Sequence, residues 1–300
     1  MQWNSEKIEG IKNGDVRSLA RAISAVENEA DGYYELLQQL KINYSIPVIG
    51  VTGPPGAGKS SLLNALLSLL ATDNKIAILA VDPTSPFTHG SLLGDRLRMG
   101  DYFLHPNIFI RSLATRGSLG GLSSRVIEIT DVLRSSNFDY IFVETVGVGQ
   151  SEVEIAYLAD TTVLVLNPGA GDEVQALKSG ILEIADVFVI NKADKEHADV
   201  LQKHLTGMLH LRPETSWNPP IIKTVATENK GLNELMDAIQ QHITKGDNKR
   251  RPDMFFEKAL RLISKQKMKG FDTDKLRQQL QEKSLTVDFN FYRFLDENYF

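Results

Sequence analysis

Residues 46–70 read IPVIGVTGPPGAGKSSLLNALLSLL. A short apolar run, 47–51, meets a glycine-rich turn. The turn opens into a stretch whose Leu62, Leu63, Leu66, Leu67 and Leu70 fall on one helical stripe. Gly53, Pro54, Pro55, Gly56, Ala57, Gly58, Lys59 and Ser60 fit the pattern G-x-x-x-x-G-K-[ST], in the strand–loop–helix setting that gives the pattern its meaning. Such a loop aims backbone N–H groups at phosphate oxygens, in a nest at a helix N-terminus. Lys59 supplies a positive charge at the β- and γ-phosphates, and the Ser60 hydroxyl is a ligand for Mg²⁺.

Outward from this loop the chain repeats one texture. Apolar runs at 76–81, 108–110, 140–143, 162–166, 187–190 and 221–225 are nearly continuous rather than alternating. Strands of that kind are buried on both faces, as in a parallel sheet. Helical stretches lie between them, such as 231–243 with Leu232, Leu235, Ile239 and Ile243 on one face. The order predicts a mainly parallel, doubly wound α/β domain over 46–247. Residues 1–45 predict a helical extension. Val16, Leu19, Ile23 and Val26 have helical spacing behind Asp15 as N-cap, and a second helix covers 33–40. The polar stretch KGDNKRR, 245–251, followed by Pro252, reads as a linker. Residues 248–300 form a helical C-terminal region: Phe255, Phe256, Leu260 and Ile263 mark an amphipathic helix, and another runs 274–283. The tail VDFNFYRFLDENYF is too rich in aromatics to stay free in water, so it packs on its own domain or on a partner.

A second motif, Asn191-Lys192-Ala193-Asp194, follows the run 187–190. It falls at a strand's carboxyl end, where open α/β sheets bind ligands. N-K-x-D reads guanine. The Asp194 carboxylate accepts from guanine N1–H and the 2-amino group, donors that adenine lacks there, and a buried carboxylate left unpaired discriminates strongly. Asn191 bonds the purine edge and tethers the phosphate loop, while the Lys192 stem covers the base face. Val225, Ala226 and Thr227, after the last apolar run, offer a second base contact.

Two apolar runs end in acids, Asp82 and Glu144. Beside a phosphate loop, such acids hold Mg²⁺ or position water. Glu144 stands where D-x-x-G is more usual, with Gly147 as the glycine; being one methylene longer, it suits contact with the metal through a water. Asp95 is a third candidate acid. Gln150 is poorly spaced to orient the attacking water; Arg96, Arg98, Arg116 and Arg125 could stabilise transition-state charge, but the sequence does not choose among them and most are expected to be surface or salt-bridged arginines.

Composition narrows the field. The chain has 300 residues, 42% of them hydrophobic and 24% charged, which suits a folded protein of about two domains. It has no cysteine, so disulfides, Fe–S clusters and thiol nucleophiles are excluded. A net charge of −5 gives no footprint for nucleic acid. No apolar run is long enough for a membrane span and no leader is evident, so a cytoplasmic protein is expected.

The stretches VDPTSPFTHGSLLGDRLRM, RSLATRGSLGG, ETVGVGQSE, PGAGDEVQALKSGILEIAD and NKAD, in this order, resemble the methylmalonyl-CoA mutase-associated GTPases. The likeness covers roughly 10–245. It implies a SIMIBI-class P-loop GTPase with an N-terminal helical extension and a C-terminal dimerisation element, hence a homodimer. Residue by residue, it implies phosphate binding by 53–61, including Ser61, and guanine binding by Asp194 with Val225, Ala226 and Thr227. It assigns nucleotide-responsive acids to Asp82, Asp95 and Glu144. Three switches follow, roughly 82–98, 144–156 and 167–178, with Gln150 and Lys178 coupling to the partner. The family's activity would be GTP hydrolysis with Mg²⁺, assisting an adenosylcobalamin-dependent acyl-CoA mutase in cofactor loading and protection. The cobalamin belongs to that partner. His89 departs from the glycine more often found there, and the last fifty residues match least. Turnover by the free protein is expected to be slow and partner-stimulated. Two rivals are a small-molecule kinase, which needs an acceptor pocket and base, and a metal-insertion GTPase, which needs Cys or clustered His that this chain lacks.

Overall fold

The computed structural model describes residues 3–82, 99–114, 125–145, 155–169, 181–212, 217–245, 250–268, 270–284 and 289–299. Within them lies a seven-stranded sheet: β1 Val48–Thr52, β2 Ile76–Asp82, β3 Ile108–Ala114, β4 Tyr140–Glu144, β5 Thr161–Leu166, β6 Val187–Asn191 and β7 Ile221–Thr224. The order is β3-β2-β4-β1-β5-β6-β7, and every pairing is parallel. The chain therefore moves one way from β1 to β2 and β3, returns to β4, then crosses to β5 on the far side. That reversal opens a crevice at the carboxyl ends around β1.

Alternate residues of each strand feed opposite faces. Ile49, Val51, Phe142, Val163 and Val165 pack under helices α4 (Lys59–Leu70) and α8 (Leu232–Lys245), through Leu62, Leu66, Leu235 and Ile239. The opposite residues, Val48, Leu79, Val81, Ile141 and Val143, meet the N-terminal helices and α5 (Val126–Arg134). Further along, Leu164, Leu166 and Phe188 are covered by α7 (Ala198–Leu209), beyond the short turn α6 (Ile181–Ile184). Gly50 is needed in this packing, since a Cβ there would lie 2.4 Å from Ile155. Two-sided burial is the reason the inner strands β1, β5 and β6 read as nearly unbroken apolar runs, while the edge strands β3 and β7 are partly exposed.

The N-terminal segment holds three helices: α1 Ser5–Lys12, α2 Val16–Glu27 and α3 Tyr33–Gln39. The spacing singles out α2 and α3. It gives little sign of α1, which is polar and buries only Ile11 fully. Asp15 caps α2 as expected, accepting from Ser18 N–H at 2.8 Å. Leu19, Ile23, Val26 and Leu36 join the same core as Leu79 and Ile129.

The chain divides into two compact units, Met1–Arg251 and Pro252–Phe300. The stretch read as a linker is partly helical: α9 runs Arg250–Met268, with Pro252 in its first turn, where a missing N–H costs nothing. The second unit continues with α10 (Thr273–Lys283) and α11 (Phe291–Tyr299). Part of the aromatic tail packs within its own unit, while Phe291 and Tyr292 stay exposed. Phe294 is buried against Phe289 and Tyr299, and Tyr299 packs on Phe271. No helix among the described residues is long and apolar enough to cross a membrane.

Candidate functional site

The crevice is lined first by the loop between β1 and α4. Gly53 has φ +139°, and a Cβ there would fall 2.0 Å from the Val165 carbonyl oxygen of β5. Gly58 caps α4 at φ +91°, where a Cβ would meet Asn191 Nδ2 at 2.4 Å. No side chain fits either place, so the glycines answer to the packing of the loop as well as to its turn. Lys59 Nζ donates to the carbonyls of Gly53 (2.8 Å) and Pro54 (3.1 Å), stretching its charge across the loop's mouth. The first turn of α4 is thus presented with a lysine above it, an arrangement able to receive an anion.

Asn191, the last residue of β6, joins this loop to the next. Its Nδ2 donates to Ala57 O at 3.0 Å, and its Oδ1 accepts from Thr224 Oγ1 (3.1 Å) and Ala226 N–H (3.3 Å). The expected tether is present. Lys192 adopts φ +56° and lays its stem back toward the loop, donating from Nζ to Gly56 O at 2.7 Å. Asp194 stands exposed at the rim. Beside it, Val225 and Lys230 form an antiparallel bridge around the turn Ala226–Glu228, which carries Thr227. Lys230 pairs with Glu228 at 2.6 Å, and its ammonium is held above its ordinary pKa by Glu228 first, with Asp194 adding to the effect. Asn191, Asp194 and Val225 to Thr227 therefore gather at one end of the crevice.

At the other end, β4 lies beside β1, with Val51 opposite Glu144 in register. Thr145 N–H donates to Val51 O, and the Thr52 and Thr145 hydroxyls meet at 2.9 Å. This pins the start of the segment after β4. Ser60 Oγ donates to Glu144 Oε1 at 2.7 Å, and both residues are buried. A hydroxyl and a carboxylate converging beside the phosphate loop are hard oxygen donors, which fits Mg²⁺. Asp82 ends β2, with its backbone two residues past Ala80, the register partner of Glu144.

Asp95, Gly147, Gln150, Lys178, His89, Arg96, Arg98 and Arg116 lie outside the described residues. Of the candidate arginines, Arg125 is one of the salt-bridged ones and is not placed to aid catalysis. It is buried at the head of α5 and pairs with Glu29 (2.6 Å) and Glu128 (2.7 Å). Burial alone would lower its pKa, but the two carboxylates reverse this and keep it firmly charged. Sequence reasoning missed Thr52, Thr145 and Thr224. Each is a threonine at or just past the carboxyl end of a core strand, a position that could have marked them.

A seven-stranded parallel sheet carrying this loop at its switch point, with an N-K-x-D turn tethered to it, defines a P-loop nucleotide-binding protein. Residues 19–282 match the family described as Methylmalonyl Co-A mutase-associated GTPase MeaB, and the chain belongs to that family. A putative GTPase of Pyrococcus abyssi is 50% identical over 243 residues, covering 79% of this chain and 75% of that protein. The Escherichia coli GTPase ArgK is 38% identical over 247 residues, covering 78% and 74%. The mouse methylmalonic aciduria type A homolog, mitochondrial, is 36% identical over 253 residues, covering 77% and 61%. Among solved structures, one of a LAO/AO transport system kinase superposes with a TM-score of 0.73 at 26% identity, covering 99% of each chain. The protein binds guanine nucleotide and hydrolyses GTP, as its family does.

Proposed function

We propose that this GTPase is a cytoplasmic chaperone for an adenosylcobalamin-dependent acyl-CoA mutase, with methylmalonyl-CoA mutase as first client, acting in cofactor loading and protection. The family match across 19–282 carries the reading, and the similarity to the mouse methylmalonic aciduria type A homolog supports it. The cobalamin sits on the client.

The residues then take the following parts. The N–H groups of the loop from Gly53 to Gly58, with Ser61 behind it, hold the phosphates, and Lys59 leaves its carbonyl partners to neutralise them. Asn191, Lys192 and Asp194, with Val225, Ala226 and Thr227, hold the base. Ser60 and Glu144, with Asp82, would hold Mg²⁺, which when bound offsets charge on the β- and γ-phosphoryl oxygens. Asp95 and Glu144 place the attacking water, and Gly147 meets the γ-phosphate. Gln150 and Lys178 pass the nucleotide state to the client. Catalysis is positioning and electrostatics, with no covalent step on the protein.

The test is GTP turnover by the purified protein, alone and with its mutase titrated in, with ATP and Lys59→Ala as controls. Saturable acceleration above about twofold, absent with ATP and in the variant, is expected. Unchanged GTP turnover removes the mutase as partner. A phosphorylated small molecule formed in step with GDP would replace the chaperone by the kinase reading.

A further inference from the structure

Thr52 closes β1, and Thr145 follows the last residue of β4. Both are buried, at 0% and 1% exposure, and their hydroxyls meet at 2.9 Å. Val51 and Glu144 are the last register pair of the two strands, and the bond from Thr145 N–H to Val51 O, 3.1 Å, leads out of the ladder. The hydroxyl contact is thus a side-chain rung set one residue beyond the paired ones. Alternation puts Thr52 on the face opposite Val51, where β1 and β4 otherwise present Val48, Gly50, Ile141 and Val143. Two valines have nearly the shape of two threonines and would fill this place with no hydroxyl to desolvate. Replacing both partners of a buried hydrogen bond by apolar groups of the same shape is nearly neutral or even stabilising. What valines cannot supply is a directional bond of fixed length.

That bond matters because of what stands beside each threonine. Gly53, immediately after Thr52, starts the phosphate loop and lies so close to β5 that a Cβ would fall 2.0 Å from Val165 O. The loop runs to Gly58, and Ser60 sits in the first turn of α4. Glu144, immediately before Thr145, accepts from Ser60 Oγ at 2.7 Å. One threonine therefore roots the segment that carries the serine, and the other roots the carboxylate. Joining the two roots fixes the separation of the two oxygen donors. Mg²⁺ demands near-ideal octahedral geometry, and groups that orient its ligands affect its binding nearly as much as the ligands do.

We infer that Thr52 and Thr145 are positioning residues for the Mg²⁺ site: their paired hydroxyls hold the Glu144 carboxylate in register with Ser60. This rests on the reading of Ser60 and Glu144 as holders of the metal that accompanies GTP. The threonines act through those two residues, from the other face of the sheet.

The full-length chain is tested as Thr52→Val with Thr145→Val, which removes both hydroxyls and keeps the shape, and as Thr52→Ser with Thr145→Ser, which keeps both hydroxyls. Mn²⁺, standing in for Mg²⁺, is titrated into the GDP complex and read by electron paramagnetic resonance. GTP turnover is followed against Mg²⁺ concentration, and urea unfolding is recorded for each chain. In the valine pair, Mn²⁺ affinity should fall about tenfold and the half-saturating Mg²⁺ should rise by a similar factor, while the urea midpoint does not fall. The serine pair should stay within about twofold of the parent in both metal readings. A valine pair with the parent's Mn²⁺ affinity overturns the proposal. So does a serine pair weakened as much as the valine pair, since the methyl groups rather than the hydroxyls would then matter. Should the valine pair not fold, Thr145→Val alone faces the same titration and the same criterion. Lys59→Ala reports on the crevice separately. GTP turnover retained there would sink the site assignment, and this inference with it, whereas turnover lost there with a normal Mn²⁺ response in the valine pair sinks the inference alone.

Discussion

Asp194 stands on an exposed turn, and its value depends on what docks against it. In the proposed pose its two oxygens take both donors of the guanine edge. An amide in its place meets those donors with one acceptor and one donor of its own. Asp194→Asn should therefore weaken GTP binding about tenfold or more, the loss of a charge-assisted hydrogen bond plus a clash of donors, and should narrow the preference for GTP over ATP. Competition binding with a fluorescent guanine nucleotide measures both; an unaltered GTP affinity would remove Asp194 from the base site. At this scale the sequence was informative where a motif names a side chain and silent where a backbone does. Lys59, Asn191 and Asp194 can be read from spacing. The threonines Thr52, Thr145 and Thr224 can be marked by their place at strand ends, but their partners cannot be read, because those arise only when strands distant in sequence become neighbours.

Elements show the same division between local and tertiary causes. The cap of α2 is local. Asp15 is held below its ordinary value of 3.8, by the Ser18 hydroxyl first and the Ser18 N–H second. A carboxyl lowered in the folded state stabilises fully above its unfolded pKa, and that contribution is lost as pH falls through the folded one. Asp15→Ala should cost about 1 kcal/mol at pH 7. The gap to the parent should close as the pH drops below about 4. Urea unfolding at the two pH values checks this, and a gap independent of pH would show that the carboxylate is not the active group. The strands were legible for a different reason: two-sided burial leaves nearly unbroken apolar runs in β1, β5 and β6, whereas of the edge strand β3, with Arg111 and Ser112 only partly buried, the apolar run marks no more than 108–110. The order of the strands cannot be read, since nothing in the runs states that β4 returns between β2 and β1. Helix α9 was legible in its apolar face but not in its start, because Pro252 reads as a break although the first turn tolerates it.

For the whole molecule, the second unit carries the proposal of a homodimer. Along α9, Phe256, Leu260 and Ile263 recur at helical spacing and are 64%, 49% and 57% exposed. Phe256→Asp combined with Ile263→Asp should convert a dimer to a monomer in sedimentation while the parent's basal GTP turnover per chain persists. A parent chain that sediments as a monomer would end the dimer proposal.

Asn191 has a last consequence. Its one amide is bolted to the loop before α4 on one side and to the turn after β7 on the other. A ligand lying between them meets a caliper whose jaws are set by the fold. Such a gauge can measure the reach from a purine to its first phosphates. On the proposed reading the response to the phosphates falls on the β4 side, where Ser60 meets Glu144 and Thr52 meets Thr145. On that reading, recognition of the base and response to the phosphates fall on opposite sides of β1, toward β6 and β7 on one hand and β4 on the other.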